Sequence, residues 1–289
     1  IRARLDEAEE FPWDIMKALS EADLFRVFVP EQYEGLGGGI LELCLVVEEI
    51  SRVCSAIAVS YAASALGTFI LMDYGSEEQK KKYLPDTASG KKLAAFALTE
   101  PQAGSDAAAI KTTADKVQGG YVLNGTKQFI TNGGEAELYT VIALTDKTRG
   151  PRGASALLVE KGTPGFSFGR KEQKMGIRAS STRELIFKDC FVPEGNLIGR
   201  AGMGFLLTMK LLDRSRPGIG AQALGIAQGA MEAAVDYTEQ RIQFGKPLIA
   251  QPVVQDIIGG MASQIEAARA LIYATARMID SGAKNYTEQ

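Results

Sequence analysis

Residues 96–106 read Phe96-Ala97-Leu98-Thr99-Glu100-Pro101-Gln102-Ala103-Gly104-Ser105-Asp106, an apolar strand running into a turn dense in small and hydroxyl-bearing residues. A turn of that composition brings backbone N–H groups close to an acidic or heterocyclic ligand. Just downstream, Tyr121 to Asn132 reads YVLNGTKQFITN. The Asn-Gly pair predicts a hairpin that turns at Asn124-Gly125, with a second strand delivering Phe129 and Thr131.

Outward from these segments the hydrophobic period divides the chain. From Arg2 to Tyr83 apolar residues recur at helical spacing, with Ile50, Val53, Ile57 and Tyr61 on one stripe, interrupted at Gly35-Leu36-Gly37-Gly38-Gly39. After Pro85 the period moves towards two, and Leu93–Leu98, Tyr121–Thr131, Leu138–Leu144, Ser155–Val159 and Leu185–Phe191 are strand candidates. Helix returns from Gly204, with a break at Phe244-Gly245-Lys246-Pro247 and a further helix to about Ile279. The expected fold is therefore α+β and multidomain: a helical N-terminal domain over 1–92, a central β-barrel-like domain over 93–200, and part of a C-terminal helical bundle over 201–289.

The formal charge of −3 gives no broad basic surface, so nucleic acid is not the expected partner. With no histidine and three well-separated cysteines, Cys44, Cys54 and Cys190, the usual zinc sites and the Ser-His-Asp and Cys-His nucleophiles are excluded, and no metal is expected. Reduced thiols suit a bacterial cytoplasm or a mitochondrial matrix. No apolar run reads as a bilayer span. Neither Gly-x-Gly-x-x-Gly after a strand nor a P-loop is present, and Gly202-Met203-Gly204 reads as a helix-entry turn.

The paired segments 96–106 and 121–132 closely resemble the flavin-binding strands of the acyl-CoA dehydrogenase family. The helix, strand, helix order resembles it too, from about Phe11 to Gly282. The likeness implies a family chain whose first turns and last helices are missing. It also implies FAD, an acyl-CoA substrate, an electron-transfer flavoprotein as electron acceptor, and a homodimer or homotetramer. By this resemblance Phe96, Leu98 and Thr99 line the flavin ring, and Phe129 and Thr131 supply an aromatic face and a hydroxyl. Gly104 and Ser105 meet the pyrophosphate, and Ser105 can also meet the bound thioester. An isoalloxazine needs such a flat apolar face and donors near the atoms that gain charge on reduction. Read as residues alone, the same Thr, Phe and Gly-Ser simply suit strands and turns.

Asp213 and Arg216 lie three apart on one helix face, where they could form an exposed ion pair. The resemblance instead assigns both to the CoA part of the substrate. Arg241, Gln243 and Phe244, in Arg241-Ile242-Gln243-Phe244-Gly245-Lys246-Pro247, match a loop that reaches the neighbouring subunit's flavin. Unaided, that stretch reads as a helix stop at Gly245 and Pro247. Pro252 stands where many relatives carry a cofactor-binding Gln, leaving Gln251 and Gln255 as substitutes.

The reaction implied is α,β-dehydrogenation to a trans-2-enoyl-CoA, with hydride passing from Cβ to flavin N5. It needs a carboxylate base. Ser215 occupies the helix position where a minority of relatives carry that Glu, so the catalytic residue is unassigned and expected beyond residue 289, with Asp213 a poor substitute. The alternatives on this fold are an enoyl-CoA reductase, an acyl-CoA oxidase, and a catalytically degenerate scaffold that binds flavin or CoA.

Overall fold

The computed structural model describes residues 2–283; Ile1 and residues 284–289, with the outer ends of the first and third domains delineated above, lie outside the described residues. The α-helices α1 (Arg2–Ala8), α2 (Trp13–Glu21), α3 (Ile40–Val53), α4 (Ser55–Tyr74) and α5 (Glu77–Ala88) come first. The strands β1 (Ala94–Ala97), β2 (Thr113–Val117), β3 (Gly120–Thr131), β4 (Leu138–Leu144), β5 (Ala154–Glu160), β6 (Phe166–Lys171), β7 (Thr182–Pro193) and β8 (Leu197–Ile198) follow. Helix returns with α6 (Gly204–Gln240), then the short strands β9 (Ile242–Gln243) and β10 (Lys246–Pro247), then α7 (Pro252–Asp280). The architecture is helical, then sheet, then helical.

The sheet path runs β6-β7-β3-β2-β4-β5-β8, with β1 paired to β4, and does not close on itself among the described residues. The expected barrel is therefore an open one. β1 and β2 both run parallel to β4, Ala94–Ala97 beside Leu138–Val141 and Thr113 beside Leu144. β2 also lies antiparallel to the first part of β3, while Gln128 N near its end donates to Thr99 O at 2.8 Å. Two short strands thus share one lane between β3 and β4. Residues 98–112 leave the sheet at the break between them.

Three local expectations are corrected. No hairpin turns at Asn124-Gly125, because β3 is continuous through both residues and the turn lies before it, around Gly119 at φ +79°. Asn124 exchanges hydrogen bonds with Asp189 on β7, and between Leu123 and Gly125 the register slips by one extra residue on β7, so Asn124 sits opposite a bulge formed by Lys188 and Asp189. The stripe from Ile50 to Tyr61 is broken by extended Cys54, which ends α3 and leaves Val53 exposed. Pro85 sits inside α5, which runs on to Ala88 before the period changes. Edge strand β6 and the polar β2 sustain no apolar alternation along their length, so the period-two signal does not reveal them.

Helix α4 is long and apolar enough to cross a membrane, contrary to the sequence expectation, but most of it is buried by protein. A helix apolar on all sides suits a core position. Its small residues let it lie on the sheet: a Cβ on Gly67 would stand 2.6 Å from Ala95 N. Ser64 Oγ accepts from Ala94 N at 3.0 Å, and Thr140 Oγ1 donates to Gly67 O at 2.7 Å.

A buried ion pair closes the base of the 98–112 excursion. Lys127 Nζ, wholly buried on β3, donates to Glu100 Oε1 at 2.7 Å and to Leu98 O at 2.9 Å. Glu100 also accepts from Lys111 N at 2.6 Å, Thr112 N at 3.0 Å and Gln102 Nε2 at 2.6 Å. Burial acts to raise the Glu100 carboxyl, but the Lys127 charge and these donors outweigh it and hold it below its usual value. Burial draws the Lys127 ammonium down to about 8 against the pull of Glu100.

Glu100→Gln leaves a buried ammonium without its counter-charge and should cost about 3–5 kcal/mol in urea unfolding. Adding Lys127→Met should recover part of that loss. Because the folded Glu100 carboxyl lies below its unfolded value, the unfolded chain binds the proton first as pH falls. The pair's contribution is present above the ordinary carboxylate range and is lost as pH falls through the folded value. Wild type should thus lose more stability than the double variant between about pH 6 and pH 3; equal losses would remove the pair from the acid response.

Candidate functional site

A cavity of about 340 Å³ lies where the break in the lane faces the helices. Its sheet-side wall is Phe96, Leu98, Thr99, Phe129 and Thr131. The structure therefore brings together, from two segments some thirty residues apart, five of the cofactor-binding residues expected from the sequence, and Arg216, expected to bind substrate, joins the same lining from α6. Gln128 N and the Lys127 ammonium hold the Leu98 and Thr99 carbonyls, so these two backbones are fixed relative to each other.

Of the opposite wall, the sequence points only to Ser215 and Arg216 on α6. Helix α4 offers Ala62, Leu66 and Phe69, and α6 offers Ser215, Arg216 and Ile219. The two helices are antiparallel, since Gln222 Nε2 on α6 donates to Ser55 Oγ on α4 at 2.7 Å while Arg214 on α6 reaches Asp73 on α4 at 2.8 Å. The spacing of residues 62, 66 and 69 is a helical stripe. Alone it reads as core.

Phe129 carries the most unusual geometry. A regular strand would aim residues 127 and 129 to the same face. Here the register between β3 and β7 slips between Lys127 and Ile130, and Phe129 adopts φ +59°. The bulge lets Lys127 enter the core while the Phe129 ring, 57% exposed, lines the cavity. An aromatic held in the left-handed region is strained, and such strain collects at ligand sites.

The remaining candidates lie elsewhere. Gly104 and Ser105 are exposed in the turn outside the cavity lining. Asp213 is half-buried beside it, and no ion pair joins it to Arg216 among the described residues; Arg214 pairs with Asp73 instead. Pro217 lies within α6 and has no N–H to give the Asp213 carbonyl, four residues earlier. Helix α6 stops at Gln240, before Gly245 and Pro247, because residues 242–247 fold as a hairpin. Phe244 and Gly245, at φ +52° and +75°, form its turn, and Phe244 is 93% exposed. Arg241 and Gln243 are exposed with it. Pro252 opens α7 at its first turn, where a missing N–H is tolerated.

The chain matches the acyl-CoA dehydrogenase N-terminal domain over residues 1–91, the middle domain over 95–190 and the C-terminal domain over 202–289. It is 47% identical to an acyl-CoA dehydrogenase of Bacillus subtilis over 279 residues, 96% of this chain and 74% of that protein. It is 46% identical to the acryloyl-CoA reductase (NADH) of Anaerotignum propionicum over 291 residues, 100% of this chain and 74% of that one. In three dimensions it matches a chain in the solved structure of the electron transferring flavoprotein of Acidaminococcus fermentans. The TM-score is 0.96 at 43% identity, covering 99% of this chain and 76% of that chain.

The strain at Phe129 is testable in the ligand-free protein. Phe129→Gly should unfold at higher urea than Phe129→Ala, by about 1–2 kcal/mol, reversing the order expected in a regular strand. An alanine variant as stable as the glycine variant would mean that the left-handed backbone carries no strain.

Proposed function

The chain belongs to the acyl-CoA dehydrogenase family, and on that premise we propose that it oxidises an acyl-CoA thioester to the trans-2-enoyl-CoA, with FAD as its cofactor. The observation that carries this reading is the cavity wall in which the exposed Phe129 ring stands beside Thr99 and Thr131. These residues fit an isoalloxazine: one apolar face to stack on, and two hydroxyls that make no hydrogen bond to another described residue. Bound against Phe129, Thr99 and Thr131, FAD would supply the acceptor for the hydride lost from the acyl Cβ. Phe96 and Leu98 exclude water from that face, and Thr131 offers a donor to the ring's edge.

The gap between α4 and α6, lined by Ala62, Leu66, Phe69 and Ile219, takes the acyl chain. Arg216 at its border holds the CoA portion through charge-assisted hydrogen bonds, a role we extend to Asp213, three residues earlier on α6, and to Ser105 on the 98–112 segment. Among the described residues no carboxylate lines the cavity, and the Ser215 hydroxyl that does cannot take an α proton at neutral pH. Proton removal is accordingly not assigned to a lining residue. Acyl-CoA and an electron-transfer flavoprotein are the partners. The exposed hairpin with Arg241, Gln243 and Phe244 supports a homodimer or homotetramer in which it reaches a neighbour's FAD. The three unpaired cysteines are in keeping with a reducing compartment, a bacterial cytoplasm or a mitochondrial matrix. A second reading, reduction of an enoyl-CoA, is favoured by the similarity to the acryloyl-CoA reductase.

The purified protein should be yellow, and anaerobic butyryl-CoA should bleach its flavin band if the oxidative direction holds. Bleaching by NADH, followed by recolouring with acryloyl-CoA, would favour the reductive reading instead. Thr131→Val should weaken FAD binding or shift its potential by the equivalent of about 1 kcal/mol. A spectrum, affinity and potential identical to wild type would take Thr131 out of the site.

Arg241→Ala should lower FAD retention without lowering helical content. If the hairpin serves a neighbouring subunit, mixed oligomers of Arg241→Ala with a Thr99→Val, Thr131→Val variant contain sites free of both lesions, and FAD binding should partly return. No return in confirmed hetero-oligomers would confine Arg241 to its own subunit or remove it from the site.

A further inference from the structure

Behind the Phe69 ring lies a second space. A groove of about 620 Å³ is lined by Phe28, Glu31, Gln32, Met72, Asp73 and Arg214 along with the Gly37-Gly38 backbone, and its Phe28 and Arg214 both touch Phe69 of the cavity. Phe69 lines the cavity and not the groove, whereas Arg214 and Phe28 line the groove and not the cavity. Phe28 meets Phe69 edge-on, with centroids 5.9 Å apart and planes at 87°, and the Arg214 guanidinium lies 4.7 Å from the Phe69 centroid. The ring is the partition between the two spaces, and these two residues back it.

Arg214 is itself held in place. Its Nη1 donates to both carboxylate oxygens of Asp73, each at 2.8 Å, from one helix to the other. Asp73 sits one helical turn beyond Phe69 on α4, so the guanidinium bridges from α6 to Asp73 while covering the ring. Neither partner is deeply buried, at 27% and 35% side-chain exposure, so the pair's worth to global stability is small. Its geometric consequence is larger: the aromatic wall of the cavity cannot swing into the groove while the guanidinium occupies that side.

We propose that Arg214, anchored by Asp73 and stacked on Phe69, is a positioning residue that determines acyl specificity by keeping the cavity closed to the adjoining groove. The proposal rests on the acyl-CoA reading above. With the backing in place, an acyl chain that outgrows the gap between α4 and α6 meets a fixed ring. With the backing removed, Phe69 can turn aside and the two spaces join. A lost wall in an apolar pocket changes discrimination by about ten-fold or more for chains that differ in length.

The test is calorimetric titration of butyryl-CoA and octanoyl-CoA into the full chain, wild type and variants. Arg214→Met should lower the octanoyl-to-butyryl Kd ratio by about ten-fold, chiefly through tighter octanoyl-CoA binding. Phe69→Leu, which removes the partition directly and keeps an apolar core residue, should lower it in the same direction. Arg214→Lys retains the ion pair and should restore most of the wild-type ratio. If Arg214→Met and Phe69→Leu both weaken the two ligands equally, the role is structural only and the proposal is overturned. If wild type binds neither ligand, the acyl-CoA reading itself fails and this inference falls with it; wild-type binding with an unchanged ratio in the variants sinks this inference alone.

Discussion

A buried ammonium on β3 governs how the site is assembled. Lys127 could not stay in the core without a counter-charge and acceptors, and it finds them in Glu100 and the Leu98 carbonyl. Glu100 in turn collects the amides of Lys111 and Thr112, from the other end of the excursion that leaves the sheet between β1 and β2. One pair therefore fixes both ends of the 98–112 segment and locks it to β3. Thr99 and Thr131, which face one cavity, owe their relative placement to this clamp. The pair's net contribution to stability is of secondary interest, because its geometry is what the cavity wall requires.

The same lysine explains the strain beside it. Sending residue 127 inward and residue 129 to the cavity breaks the two-residue alternation of a strand, and the bulge with Phe129 at positive φ is how the chain does both. Here the local rules of strand formation conflict with the placement of an aromatic face. Such conflicts are expected where function rather than folding selects the residue.

The helical wall follows a different logic. Helix α4 is apolar all round and rests on β1 through Ser64 and Gly67, so its position relative to the sheet is set by backbone proximity. Helix α6 is then laid across α4 by contacts at the two ends of the shared span, the Gln222–Ser55 hydrogen bond and the Arg214–Asp73 pair. The space left between them, bordered by Ala62, Ser215 and Gly218, exists because the facing residues are small. A rigid sheet wall and an adjustable helical wall give the cavity two different functions: the first presents fixed polar and aromatic groups, and the second admits an apolar chain.

The sequence by itself determined the order of helix, sheet and helix, the family, and the membership of the sheet-side wall, because each is carried by local periodicity or by a contiguous motif. Phe96, Leu98, Thr99, Phe129 and Thr131 were all legible in that way. The Asn124-Gly125 pair does not turn, because Asn124 instead lies opposite a bulge on β7, and only its pairing with Asp189 there decides between the two. Whereas Ser215 and Arg216 on α6 were legible in the sequence, the α4 side of the second wall, the Lys127–Glu100 clamp and the Phe69 partition were decided by tertiary structure alone. Each joins residues at least 27 positions apart, as Lys127 is joined to Glu100 and Arg214 to Phe69, whose own neighbours look like ordinary core or surface. A helical stripe of small and apolar residues is the same in sequence whether it packs against protein or borders a cavity, and only the position of the facing helix distinguishes the two.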